Sequence, residues 1–487
     1  MKCLIIGIDG ADQRIFSGLK MEFLERVLQD GSSIPLTEDL WSRGWAEMLT
    51  GLHGLDTGAF YEFPKLDGSH DFTQSFGLKN LDENPKVTAL WDLLDSAGVS
   101  QGYANVPTTM PAPKVDGFFI AGAGGGLGNL GSTLPRDAYH PESAGMVLEE
   151  TNYVLDLRFM ASGIKDEDTL FDSLEQMVSR RTEAFLKLGR ATPVDFGFIA
   201  YMATSRMQNI GMSEIEAILA QSDMEELNTS GGGRYNSFQQ RLLKLYQLQD
   251  QCVGRLLDEL APEHLIIVGD HGAAPYLYRA NANAFLERAG YQSRAAARRT
   301  VRSIARTWAP QWLKRYMFKK LPKVTKRIAR GFDPKRSLAF GSKYVPGVFV
   351  NDERRFGGPV KEEDAADLTG RICEDFNQTD EAKEFEMKAR PYRQEHLDRP
   401  FADFLPDVWI DRADEIFFDS REGFVEKNLS YGPIKDLNDI GRDMYTGVKR
   451  RHPLCLVDSK TAQLIRDGDT MDLRLVYRLV ERIFGIA

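Results

Sequence analysis

Three short apolar runs punctuate the first 270 residues, and each stops at polar chemistry. Residues 2–8 end at Asp9-Gly10, Phe196–Met202 runs into Ala203-Thr204-Ser205, and Leu265–Val268 ends at Gly269-Asp270-His271. Continuous rather than alternating apolar character is expected of strands buried on both faces, as in parallel sheets. A helical pattern from Asp168 to Leu188 precedes the second run, which gives the helix-then-strand order of an α/β protein. In such sheets ligands sit beyond the carboxyl ends of the strands, so Asp9, Asp270 and His271 occupy positions where chemistry is expected.

At 487 residues, 42% hydrophobic and 27% charged, the chain is too long for one small core. The expectation is a large α/β domain with a sizeable insertion, or two closely joined domains. Residues 291–337 are read as a basic helical insertion between a first core part, 1–290, and a cap with core completion, 338–487. From Arg294 to Arg336 there are fifteen Lys and Arg against one acid, Asp333, interleaved with Ile304, Trp308, Trp312, Leu313, Met317 and Phe318. This stretch is either a solvated cap or a surface for an anionic partner or membrane. The net charge of −10 argues against specific nucleic-acid binding. Gly122–Gly131 is a flexible loop or a backbone nest for an anion, and it lacks the P-loop ending.

The opening apolar run is shorter than the roughly 7–15 residues of a signal peptide and the ~20 of a membrane span. Cys3, Cys252, Cys373 and Cys455 form no paired spacing and read as reduced thiols. The expected compartment is the cytoplasm.

Two carboxylates and an imidazole at strand ends suit a single divalent cation with open positions. The same residues also suit a hydrogen-bonded loop, and composition alone leaves both open. Segments spread along the chain narrow the choice. IIGIDGAD, WAEMLTGLHGLDTGAFYEF, ANVPTTMPAPKVDGFFIAG and IIVGDHGAAP resemble, in order, the motifs of the alkaline phosphatase superfamily in its type I phosphodiesterase and nucleotide pyrophosphatase branch. NANAFLERAGY, VPGVFVNDERRFGGPV and FLPDVWIDR resemble its connecting segments. The resemblance implies a mostly parallel central sheet flanked by helices, with an inserted cap. It also implies a phosphoester hydrolase or phosphotransferase that clamps phosphoryl groups between two metal ions, typically zinc.

Measured against that pattern, one metal site is complete and the other is altered. Asp9, Asp270 and His271 match the first ion's ligands. The second ion's T-D-R-x-Q-H motif reads Thr204-Ser205-Arg206-Met207-Gln208-Asn209, which replaces its Asp and His with neutral Ser205 and Asn209. The T-G-D-H-R motif reads Thr446-Gly447-Val448-Lys449-Arg450, which puts Lys449 at the last ligand; His452 lies three residues on. The family nucleophile falls on Trp41, with Ser42 adjacent and Thr37 more distant. The expectation is a one-metal site, zinc or manganese, with Ser42 or water attacking a phosphorylated small molecule or phosphodiester. Lys449 and Arg43 would then stand in for the lost positive charge. The alternative is an inactive member that acts as a binding or scaffold protein.

Overall fold

The computed structural model describes residues 1–19, 21–74, 87–122, 134–157, 166–225, 235–293, 331–419, 423–434 and 445–486. Most of the basic stretch, residues 294–330, and all of the glycine-rich run but Gly122 lie outside the described residues. The chain forms two compact units. The first comprises Met1–Tyr61, Gln74–Leu277 and Asn428–Ala487, and the second Glu62–Thr73 and Tyr278–Lys427.

The first unit is built on an eight-stranded sheet. Its strands are β1 (Cys3–Ile8), β2 (Gly31–Ser33), β3 (Gln101–Val106), β4 (Gly117–Ala121), β5 (Tyr139–His140), β6 (Phe196–Tyr201), β7 (His264–Val268) and, late in the chain, Cys455–Asp458. The five strands β7-β1-β6-β3-β4 lie side by side and parallel. Cys455–Asp458 pairs antiparallel with β7 and β2, and β5 antiparallel with β4, which closes the two edges. The three apolar runs of the sequence are thus adjacent central strands, and their carboxyl ends share one edge of the sheet.

Both faces are covered, which is why the strands are continuously apolar. Leu4, Ile6 and Ile8 join a core with α2 (Glu167–Ala191), α3 (Ala203–Glu225) and α4 (Ser237–Leu260). Cys3 and Ile5, on the opposite face by strand alternation, pack with α1 (Gly44–Thr50) and α5 (Arg474–Phe484). Capping fixes where these helices begin. Asp166 accepts from Thr169 N, and Asn236 and Gln239 form a reciprocal capping box. All four cysteines are free and buried, and no helix among the described residues is long and apolar enough to cross a membrane.

The second unit is mainly antiparallel. Strands Ala339–Gly341, Gly347–Val350, Val408–Asp411 and Lys388–Pro391 form one sheet in that order. The helix Ala365–Gln378 packs against it through Leu368, Ile372 and Phe376. Arg355, fully buried, is neutralised by Asp352 at 2.5 Å and Asp407 at 2.6 Å, the pairing that a buried charge requires.

Candidate metal centre

Asp9 directly follows β1, and Asp270 and His271 follow β7, so two neighbouring parallel strands deliver all three side chains to one place. The turn after Asp9 needs glycine. Gly10 has φ +73°, and a Cβ there would stand 2.3 Å from Gln208 Oε1. Gln208 Nε2 donates to Gly10 O at 2.8 Å, and Gly10 N–H donates to Asp270 Oδ1 at 3.4 Å. The two-stranded antiparallel sheet that follows pairs Gly272–Pro275 with Gly447–Arg450, which sets Lys449 opposite Ala273.

The three side chains are buried, and one ligand atom from each lies within 4.8 Å of the others. His271 Nε2 is 3.5 Å from Asp9 Oδ1 and 3.7 Å from Asp270 Oδ1. For comparison, ligands bound at about 2.1 Å around a tetrahedral ion stand roughly 3.4 Å apart. His271 Nδ1 lies 2.6 Å from Gly272 O and donates to that carbonyl, so Nε2 is the ring atom that faces the two carboxylates. Three acceptors converging in a buried space require a cation between them or a proton on the imidazole. The donor set therefore fits a divalent ion. Among the described residues, no other three His, Cys, Asp or Glu side chains bring ligand atoms this close.

The electrostatics separate the two carboxylates. Burial opposes ionisation of Asp9, but the His271 contact and the charges of His271, Lys449 and Arg206 hold it well below the usual range. Asp270 is raised by burial and by the neighbouring Asp9 charge, against the pull of His271 and Lys449. Lys449 Nζ is 3.8 Å from Asp270 Oδ2 and 4.0 Å from the ring centre of Tyr61. The Lys449 ammonium is therefore beside the carboxylates of the candidate metal site.

The other sequence candidates are placed differently. Trp41 stacks on Phe60 at 4.1 Å. Ser42 Oγ donates to Asp39 Oδ2 at 2.9 Å and lies 3.4 Å from His53 Nε2. His53 Nδ1 accepts from Leu55 N, so the ring proton sits on Nε2 and is directed at Asp39, 3.2 Å away. Arg43 donates to Phe60 O at 2.9 Å and Gln74 O at 2.7 Å, and its guanidinium lies 5.2 Å from the Tyr61 ring centre. Thr37 Oγ1 is 3.4 Å from His452 Nδ1, which also lies 3.3 Å from Leu36 O. Ser205 packs beside Gly10, and Asn209 O accepts from Thr446 N, so both altered positions lie on α3 where it meets these segments.

Tyr61, beside Lys449, and the Arg206–Asp156 ion pair are not singled out by the sequence pattern. Arg206 lies between Ser205 and Asn209 in the Thr204–Asn209 segment, and a cation at that position is the available signal. Asp156 belongs to no motif.

The sequence profile of the type I phosphodiesterase / nucleotide pyrophosphatase family matches residues 3–422. No curated protein matches the chain in sequence. Solved structures resemble it at low identity. They include an inactive form of murine ectonucleotide pyrophosphatase / phosphodiesterase 5 in complex with AMP, at 11% identity, 100% of this chain and 95% of that one, TM-score 0.47. Phosphonoacetate hydrolase from Sinorhizobium meliloti 1021 in complex with phosphonoformate gives 9% identity over 99% and 96% of the two chains, TM-score 0.48. Wild-type alkaline phosphatase PafA gives 10% over 99% and 95%, TM-score 0.47. With the profile spanning most of its length, the chain belongs to the type I phosphodiesterase / nucleotide pyrophosphatase family.

Proposed function

We propose that this protein is a metal-dependent phosphoester hydrolase that works with one ion, held by Asp9, Asp270 and His271, and with Lys449 in place of the second. The observation that carries the reading is the convergence of His271 Nε2 and two carboxylates, with the Lys449 ammonium 3.8 Å from one of them. A zinc or manganese ion there supplies Lewis-acid polarisation of a phosphoryl oxygen or of water.

The chain's own groups do the rest. Asp9 and Asp270 are fixed by main-chain contacts, through Asp9 N to Tyr201 O at 2.8 Å and Gly10 N to Asp270 Oδ1. Lys449 presents a point charge to the negative charge that develops on the phosphoryl oxygens. Ser42 holds its proton toward Asp39, and His53 directs a donor rather than an acceptor at that pair. Water is accordingly favoured over Ser42 as nucleophile. The family points to phosphodiesters, with phosphorylated small molecules as the wider class.

The test is elemental analysis of the purified protein and of Asp270→Asn, alongside hydrolysis of bis(p-nitrophenyl) phosphate and p-nitrophenyl phosphate. One equivalent of metal that is lost in the variant together with turnover is the expected result. Two equivalents would show that the second ion has other ligands. No metal and no turnover would favour the reading as an inactive binding or scaffold protein.

A further inference from the structure

Asp12 has no part in the reading above, yet it is tied to His271 through one peptide group. His271 Nδ1 donates to Gly272 O at 2.6 Å, and the other end of that same peptide, Ala273 N–H, donates to Asp12 Oδ2 at 3.2 Å. A trans peptide is planar, with its C=O and N–H pointing opposite ways. Asp12, the Gly272–Ala273 peptide and the His271 ring therefore form a chain of hydrogen bonds. It ends at Nε2, the atom that faces Asp9 and Asp270.

The carboxylate is built into this place. Asp12 is 1% exposed and caps the short helix Gln13–Gly18, with Oδ1 accepting from Arg14 N at 3.0 Å. Capping accounts for one oxygen only, and Asn or Ser would serve there as well. The second oxygen is what favours an acid. Oδ2 accepts from Ala273 N and, at 3.3 Å, from Arg450 Nη1, and the NH2 of an asparagine could accept from neither. The approach is close, since a Cβ on Gly272 would stand 2.7 Å from Oδ2. Main-chain bonds hold the same turn from the other side: Leu454 N donates to Ala11 O at 2.8 Å, and Gly269 N to Leu454 O at 2.9 Å.

We infer that Asp12 is a positioning residue for the metal centre, acting on His271 through the Gly272–Ala273 peptide. Carboxylates that orient a metal-binding imidazole commonly take its second N–H directly. Here a peptide group is interposed, and the charged acceptor at its far end strengthens each bond along the chain. The ring is thereby fixed with its Nδ1 proton on Gly272 O and with Nε2 turned to the ion. The inference rests on the reading of Asp9, Asp270 and His271 as metal ligands, and not on the reaction.

Cobalt(II) titration of the full chain, freed of metal by chelator, tests it through the visible absorption of bound cobalt. Thermal melts verify folding, and hydrolysis of bis(p-nitrophenyl) phosphate is measured alongside. Asp12→Asn keeps an oxygen for Arg14 N and loses the acceptor for Ala273 N. It also removes a charge, so the decisive protein is Asp12→Asn with Arg450→Met, in which the local charge stays balanced. Both proteins are expected to bind cobalt at least about tenfold more weakly than wild type, with altered absorption bands, the scale of losing an outer-shell partner. A merely structural Asp12 would lower the melting temperature and leave cobalt affinity and absorption unchanged. Affinity within twofold of wild type in the folded double variant overturns the inference, as does wild-type protein that binds no cobalt. If the Asn variants do not fold, Asp12→Glu decides, because it keeps the charge and displaces the oxygens: affinity equal to wild type overturns the inference, and weaker binding supports it. Asp12-dependent cobalt binding in protein that hydrolyses no phosphoester supports the inference while the hydrolase reading fails. Asp12-independent cobalt binding with turnover removes the inference and leaves that reading standing.

Discussion

Lys449 Nζ stands 3.8 Å from Asp270 Oδ2, and the contact is fixed by strand register rather than by a flexible loop. Gly447–Arg450 pairs with Gly272–Pro275, so the backbone that follows His271 also sets the position of Lys449. A lysine half-buried beside carboxylates keeps its proton. Burial works against the charge, but Tyr61, Asp270 and Asp9 raise the Lys449 pKa above its ordinary value. The ammonium is therefore a permanent charge across the working pH range.

If that charge stabilises the transition state, Lys449→Met should lower kcat/KM for a phosphodiester by about a hundredfold, the scale of losing one preorganised charge donor. Metal content should remain at one equivalent, because Lys449 is not a ligand. Lys449→Arg should recover part of the loss. Steady-state kinetics together with elemental analysis check this, and a Lys449→Met enzyme with unchanged kcat/KM would remove Lys449 from the mechanism.

Ser42, the hydroxyl that the family resemblance puts beside the nucleophile position, has surroundings that make it a loop-ordering residue. Asp39 accepts from Trp41 N and Ser42 N, each at 2.8 Å, as well as from the Ser42 hydroxyl. Burial opposes its ionisation, but the His53 contact and those N–H groups hold its pKa below the usual range, which makes it a poor proton acceptor. Ser42→Ala should keep kcat within about tenfold of wild type, with no burst of product in the first turnover. A burst of one equivalent, abolished in the variant, would make Ser42 the nucleophile.

Much of this arrangement was legible in the sequence, because its strongest signals are local. The apolar runs before Asp9 and Asp270 each became a strand, and adjacency in a parallel sheet brought their ends together. Lys449 was legible as well, since its motif differs from the family pattern at a definite position. What could not be read is convergence between segments that share no motif. Asp156 and Arg206 are 50 residues apart and meet only in the fold. Likewise nothing in residues 62–73 announces that they leave the first unit and join the second. There His70 Nε2 lies 2.7 Å from Asn351 Oδ1, across a separation of 281 residues.

Gly10 couples stability to metal binding. Its φ of +73° is costly for any residue with a Cβ, by roughly 1–2 kcal/mol, and the added methyl would stand 2.3 Å from Gln208 Oε1. Relief must move either the buried Gln208 or the segment that carries Asp9. Gly10→Ala should therefore lower stability by about 2 kcal/mol or more and weaken metal affinity as well. Thermal melts with and without chelator separate the two effects. A variant that loses stability but binds metal normally would show that the strain is relieved on the Gln208 side.

In the second unit, Glu62 should impose a pH dependence of its own. The side chain is 5% exposed, and its Oε2 accepts from the Ser342 hydroxyl, which in turn accepts from Tyr344 N and Val345 N, each at 3.1 Å. Burial pushes the carboxyl up from 4.5 to about 7, against the smaller opposing effect of the Ser342 hydrogen bond. Between those two values the folded state holds a proton that the unfolded chain has released, so stability falls as pH rises. The contribution is complete below about pH 4.5 and is lost as pH climbs through about 7. At about 1.4 kcal/mol per pH unit, the full span is on the order of 3 kcal/mol. Glu62→Gln keeps a neutral acceptor for Ser342 and removes the titration, so its stability should change less between pH 5 and pH 8 than that of wild type. Denaturant unfolding at the two pH values measures the difference, and parallel losses in the two proteins would place the wild-type pH dependence elsewhere.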